Sequence, residues 1–174
     1  MEFSPQSGII HSTRCETIDP FSVLFAQTNL GLSPEKLGEV LCEESGLKGV
    51  SGVSGDMRDL WDGVEKGFPH AKLALDIFFY QVRREIAKMV ASLGGLDTLV
   101  FTGGIGENGI QERKIICEGL GYLGIQLDEK KNENTKNTED KISLDDSRVE
   151  VWVIPTNEEL IVGREVCKIM NQTK

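Results

Sequence analysis

The chain has 174 residues, enough for one domain with a real core and too few for two full ones. Its residues are 39% hydrophobic and 27% charged, as in an ordinary globular chain, and it carries a net charge of −9. That charge excludes the clustered basic face of a nucleic-acid binder, but it leaves room for a small anion held by backbone N–H groups.

The four cysteines (Cys15, Cys42, Cys117 and Cys167) show no C-x-x-C spacing, which argues against a zinc site or a thioredoxin-like motif. Reduced thiols in a cytoplasmic protein are the expectation. No signal pattern and no apolar run of membrane length is present, so no membrane partner is expected.

In chain order, residues 1–19 read as a loop or short edge strand. Asp19-Pro20 and Ser33-Pro34 are helix starts, each a cap residue followed by proline at the first helical position. The second helix should run to about Glu44 and stop at Gly46, with the glycine-rich stretch to Gly55 forming a loop or a strained strand end. Residues 68–93 carry the strongest helical signal, with apolar residues near a 3.6 period and Gly94-Gly95 at the end. Phe78, Phe79, Tyr80 and Trp61 read as core or interface residues. Residues 97–101 read as a buried strand and residues 109–121 as a helix. A short strand is expected at 125–127, and a solvated loop or weak helix at 128–148. Residues 150–154 read as a second buried strand, and 157–171 as a closing amphipathic helix. Alternation of strands and helices from residue 97 onward indicates an α/β fold, with helices packed on a sheet that looks incomplete.

The stretch LVFTGGIGENGIQER (99–113) contains a literal G-x-G-x-x-G from Gly104 to Gly109. Its simplest reading is a tight strand-to-helix corner needing positive φ. Its functional reading is a ligand turn, because glycines admit close backbone approach and a following helix offers unpaired N–H groups. A nicotinamide-dinucleotide module is one candidate, with Asp128 at the ribose position. The extra Thr102-Gly103 corner and the position of this unit far into the chain argue against it.

VFTGGIGEN (100–108), VIPTNEEL (153–160), GVSGVSGDMRDL (49–60) and STRCETIDP (12–20) together resemble signature stretches of the acetate kinase family. GYLGIQLDEKKN (121–132) fits the spacing between the first two. The resemblance implies an actin/hexokinase-like (ribonuclease H-like) α/β fold. Residues 1–174 would be the C-terminal nucleotide-binding portion, incomplete, with a helix-rich N-terminal part and the family's N-terminal domain absent. It implies ATP-dependent phosphotransfer to a short carboxylate, acetate or propionate, giving an acyl phosphate and ADP. It also implies Mg2+, a cytoplasmic location and a homodimer through this domain, or association with a separate N-terminal half. The isolated chain is expected to be inactive or nearly so. A non-catalytic remnant of a split gene is the remaining alternative.

Residue by residue, the resemblance assigns Arg14 as catalytic, with positive charge for the transferring phosphoryl group. A surface arginine pairing with Glu16 or Asp19 is the simpler reading. Glu16 stands where the family has glycine, and Met1-Glu2-Phe3 departs from a family Met-Gly-Phe. Asp56, Met57 and Arg58 match the nucleotide segment, Asp56 as acceptor and Arg58 as a planar stacking group. Asp56 is equally a helix N-cap. Gly103, Gly104, Ile105, Gly106, Glu107 and Asn108 match the adenosine turn. Glu158 matches the magnesium-linked glutamate. The same stretch reads as a capping box with Thr156 as cap and Glu159 reaching back. Asp128 becomes an ordinary helix start, and His11 and His70 have no partner at metal spacing.

Overall fold

The computed structural model describes residues 8–172, so the Met1-Glu2-Phe3 stretch lies outside the described residues. The chain divides into two compact units, Met1–Leu93 and Gly94–Lys174.

The first unit is helical, with α1 (Pro20–Asn29), α2 (Pro34–Glu43), α3 (Gly46–Ser51), α4 (Met57–Glu65) and α5 (Pro69–Leu93). The two predicted starts form as expected. The Asp19 carboxylate accepts the Phe21 N–H at 2.9 Å, and Ser33 Oγ accepts the Lys36 N–H at 3.2 Å. The expected loop after Gly46 is instead α3. Gly46, at φ +67°, joins two helices rather than only ending one. No side chain caps α3; the N–H groups of Ser45, Leu47 and Lys48 donate to the carbonyls of Thr13, His11 and Ser12 at 3.0, 2.8 and 2.9 Å. A loop far back in the chain thus satisfies the open end of this helix. Gly52 then ends it in the left-handed region.

Helix α5 packs on α3 and α4, burying Ala71, Ala74, Leu75, Phe78 and Phe79. Each large side chain there contributes about 1.5–3 kcal/mol. Gly63 lets α4 approach closely, since a Cβ there would lie 2.9 Å from that of Ala71. Trp61 lies against Phe79, ring centroids 6.1 Å apart. Tyr80, read as core or interface, is 61% exposed and so lies outside this core.

The second unit has β1 (Thr98–Phe101), α6 (Gly103–Asn108), α7 (Ile110–Glu118), α8 (Glu129–Asn134), β2 (Asp140–Lys141), β3 (Glu150–Val153) and α9 (Glu158–Gln172). The sheet order is β1-β3-β2, with β1 and β3 parallel in the register Thr98 to Glu150 and Phe101 to Val153, and β2 antiparallel. The central strand β3 buries Val151 and Val153 completely. Strand β1 was expected to be buried, but only Phe101 is, because β1 is an edge with one partner. Residues 125–127 make two isolated bridges, Ile125 to Val149 and Leu127 to Ser143, rather than a strand. The 128–148 segment is less solvated than its composition suggests. Asn132, Thr135, Ile142 and Ser143 are all buried, the polar ones through hydrogen bonds. Helix α9 exposes Leu160, Ile161, Val162, Val166, Ile169 and Met170, so its apolar side does not close a core among the described residues.

Candidate nucleotide site

The first unit brings the segment carrying Arg14 against the loop carrying Asp56. Two glycines permit this contact. A Cβ on Gly46 would lie 2.5 Å from the His11 carbonyl oxygen and 2.9 Å from the Arg14 nitrogen. A Cβ on Gly55 would collide with Ser12 Oγ and lie 2.5 Å from the Ser12 carbonyl oxygen. Arg14 itself is exposed and makes no ion pair among the described residues. Glu16, weighed as its partner, lies instead 3.3 Å from Arg84.

Asp56 caps α4 as its position suggests, accepting the Arg58 N–H at 2.8 Å. It also takes the Arg58 guanidinium in a two-point contact, Nε to Oδ1 at 3.0 Å and a terminal nitrogen to Oδ2 at 2.6 Å. These side-chain bonds, then the backbone N–H, pull the Asp56 carboxyl down to about 2. Met57 is the first residue of α4, directly between the two.

In the second unit, the glycine stretch is not a loop. It is the short helix α6, entered directly from β1 through Thr102. Its glycines have different reasons to be there. Gly103 stands at φ +71°, where a side chain is strained. Gly106 is buried, and a Cβ there would lie 3.1 Å from the Phe101 carbonyl carbon. Gly104 has neither constraint: its φ is not positive, and a Cβ would meet nothing within 4 Å. Ile105 is 40% exposed beside it. Asn108 is exposed and turns its amide back onto the Gly104 carbonyl at 3.1 Å.

Glu107 does not face solvent. It is buried, and its Oε1 accepts the N–H of Gly103 at 2.8 Å and both the N–H and hydroxyl of Thr156 at 2.9 and 3.1 Å. The Thr156 N–H and hydroxyl and the Gly103 N–H outweigh the opposing effect of burial and hold its carboxyl below the usual range. This carboxylate ties the start of α6 to the segment after β3. Thr156 is therefore not the cap of α9. Asn157 has that role, its Oδ1 accepting the Leu160 N–H at 3.0 Å. Glu158 opens α9, and its side chain lies outside the described residues.

Sequence reasoning missed Arg113. It is fully buried on α7 and makes five hydrogen bonds. They run to the carbonyls of Gly106 (2.9 Å) and Glu107 (3.0 Å), to Oδ1 (2.7 Å) and the carbonyl (3.0 Å) of Asn132, and to the carbonyl of Thr135 (2.7 Å). Burial pulls its guanidinium pKa down. The available signal was an arginine at helical spacing with Ile110 and Cys117, on the stripe that faces inward.

A profile of the acetokinase family matches residues 1–164. The chain belongs to the acetokinase family. It is 48% identical over 172 residues to the acetate kinase of Dictyoglomus thermophilum, covering 99% of this chain and 43% of that protein. A crystal structure of Porphyromonas gingivalis acetate kinase superposes with a TM-score of 0.88 at 35% identity, over 96% of this chain and 42% of that one. The propionate kinase of Francisella tularensis superposes at 0.82 with 39% identity, over 91% and 40%. The chain thus spans less than half the length of these acetokinase relatives.

Proposed function

We propose that this chain supplies the adenosine-binding portion of an acetate kinase-type phosphotransferase, which transfers a phosphoryl group from ATP to acetate to give acetyl phosphate and ADP. Gly104 is the observation that carries this reading. Neither backbone strain nor packing requires glycine there, and the space beside it is open. A ligand lying against the backbone is a physical reason for that choice. Glu107 and Arg113 hold the back of the same turn, so its exposed face is fixed before any ligand arrives.

In this reading Gly103 to Gly106 meet the adenosine with their backbone, and Asn108 secures the turn or the ligand. Asp56 and Arg58 meet the nucleotide with their side chains, with Met57 between them. Arg14 places positive charge where negative charge develops on the phosphoryl group. Glu158 would hold Mg2+, which when bound neutralises phosphate charge. The partners are then a nucleotide and a short carboxylate. A second copy of this chain and a separate N-terminal half are further partners in this proposal, supported by the exposed apolar residues of α9. No helix among the described residues is long and apolar enough to cross a membrane, and a cytoplasmic location is proposed with the function. The similarity to a propionate kinase makes propionate the second acceptor to test.

Calorimetric titration with Mg-ADP, with NAD as control, tests the reading. Mg-ADP should bind and NAD should not. Gly104→Val should weaken ADP binding at least about tenfold while leaving the folded state intact, since its side chain enters open space. Tighter binding of NAD, or no effect of Gly104→Val, would overturn the reading.

A further inference from the structure

Cys15 and Cys42 are 27 positions apart in the sequence, with no motif joining them. The fold places their backbones side by side. The Cys15 N–H donates to the Leu41 carbonyl at 2.9 Å, and that carbonyl belongs to the peptide unit that ends at the Cys42 α-carbon. Standard bond lengths then hold the two α-carbons within about 7 Å of each other, the outer limit for a disulfide. A second contact fixes the register: the Thr13 hydroxyl donates to the Cys42 carbonyl at 2.9 Å. Both cysteines are half-buried rather than sealed in the core. Cys15 lines a cavity of about 410 Å3 with Ile10, Glu16, Ile18 and Gln81, which gives a small molecule access.

We propose that Cys15 and Cys42 are a redox modification site, closed to an intramolecular disulfide by a low-molecular-weight disulfide and reopened by thiols. The inference does not depend on the phosphotransfer reading. Burial raises the Cys15 thiol pKa, and the nearby Cys42 raises it further, so the thiolate that reacts forms more readily at alkaline pH. In the first step one cysteine thiolate attacks the oxidant's S–S bond, forming a mixed disulfide and releasing one thiolate. The second cysteine thiolate attacks the protein sulfur of that mixed disulfide and expels the other. Two protein thiols and one disulfide become one protein disulfide and two small thiols, and the two thiol protons pass to the leaving thiolates. The other two cysteines stand in different surroundings. Cys117 is buried, with its thiol pushed up to about 12 by desolvation, and Cys167 lies exposed on α9. The closed disulfide would fasten the segment carrying Arg14, the residue next to Cys15, to the end of α2.

The test is oxidation of the whole 174-residue chain with oxidised glutathione at pH 8, followed by intact mass and a non-reducing tryptic map. The expected result is a loss of about 2 Da, on top of any glutathione adduct at the exposed Cys167, recovered by reductant. The map should show peptide 15–36 joined to peptide 37–48. Cys15→Ser and Cys42→Ser should each abolish the loss, with circular dichroism confirming that each variant is folded. Separate glutathione adducts on the two cysteines without a linked peptide would overturn the proposal. So would a link to Cys117 or Cys167. The wild-type map decides the matter even if a variant does not fold.

Discussion

Both carboxylate oxygens of Asp56 are engaged by Arg58, and its depressed pKa follows from that geometry. Carboxyl NMR should find Asp56 titrating at about 2. Arg58→Ala should raise that value toward the ordinary aspartate range, though not fully, because the residue-58 backbone N–H still donates. The folded pKa lies below the unfolded one, so the stability this group contributes is present above the ordinary aspartate range and is lost as pH falls through about 2. An Asp56 that titrates normally would show the pair to be absent in solution. The cap itself was legible in sequence, because Asp56 acts on a neighbour two residues away. Gly55 was not, since its partner Ser12 is far along the chain. Gly55→Ala should destabilise the first unit by roughly 1–3 kcal/mol, because the colliding atoms include backbone. Urea unfolding followed by Trp61 fluorescence, in a Trp152→Phe background, measures it.

At the scale of elements, α6 is held from behind by two charges of opposite sign acting on different ends. Glu107 collects N–H and hydroxyl donors at its start, and Arg113 collects carbonyls at its end. Arg113→Met keeps an unbranched apolar stem but removes every donor, leaving buried carbonyls of Gly106, Glu107, Asn132 and Thr135 without it. The second unit should lose about 3–5 kcal/mol, read by Trp152 fluorescence in a Trp61→Phe background. Arg113→Lys, with a charge but fewer donors, should recover only part of this. A loss under about 1 kcal/mol for Met would mean the network has little net worth. For Glu107 the folded carboxyl pKa is depressed, so its support is present above the ordinary glutamate range and fades as pH falls below it. Glu107→Gln should flatten that part of the pH–stability profile of the second unit. Of these features, the helix α7 was read from the sequence, within 109–121. The clamp was not, because a polar 128–148 segment reads as solvated until a buried arginine supplies its partners.

For the whole molecule, the signature stretches suggested the candidate site, and cap patterns located the starts of α1, α2, α4 and α8, since both are local patterns. What remained hidden depends on distant chain: α3 capped by carbonyls from residues 11–13, the exposure of β1, and the uncovered apolar side of α9. The charge of a transferring phosphoryl group must be met by several positioned cations in a site that excludes water. The candidate arginines of this chain are differently disposed. Arg58 is paired with Asp56, Arg113 is buried among carbonyls, and Arg14 alone of the three is exposed with no ion pair among the described residues. One unpaired arginine among these three, on a chain spanning 43% of a relative's length, does not enclose a phosphoryl group. The purified 174-residue chain should therefore form no acetyl phosphate above background from acetate and Mg-ATP, as read by hydroxamate trapping, even if it binds Mg-ADP. Turnover at about 1 s⁻¹ or faster, within the ordinary enzyme range, would show that this chain holds a complete site. Binding without turnover would separate the two roles, with the adenosine turn built here and the remaining cations supplied by another polypeptide segment.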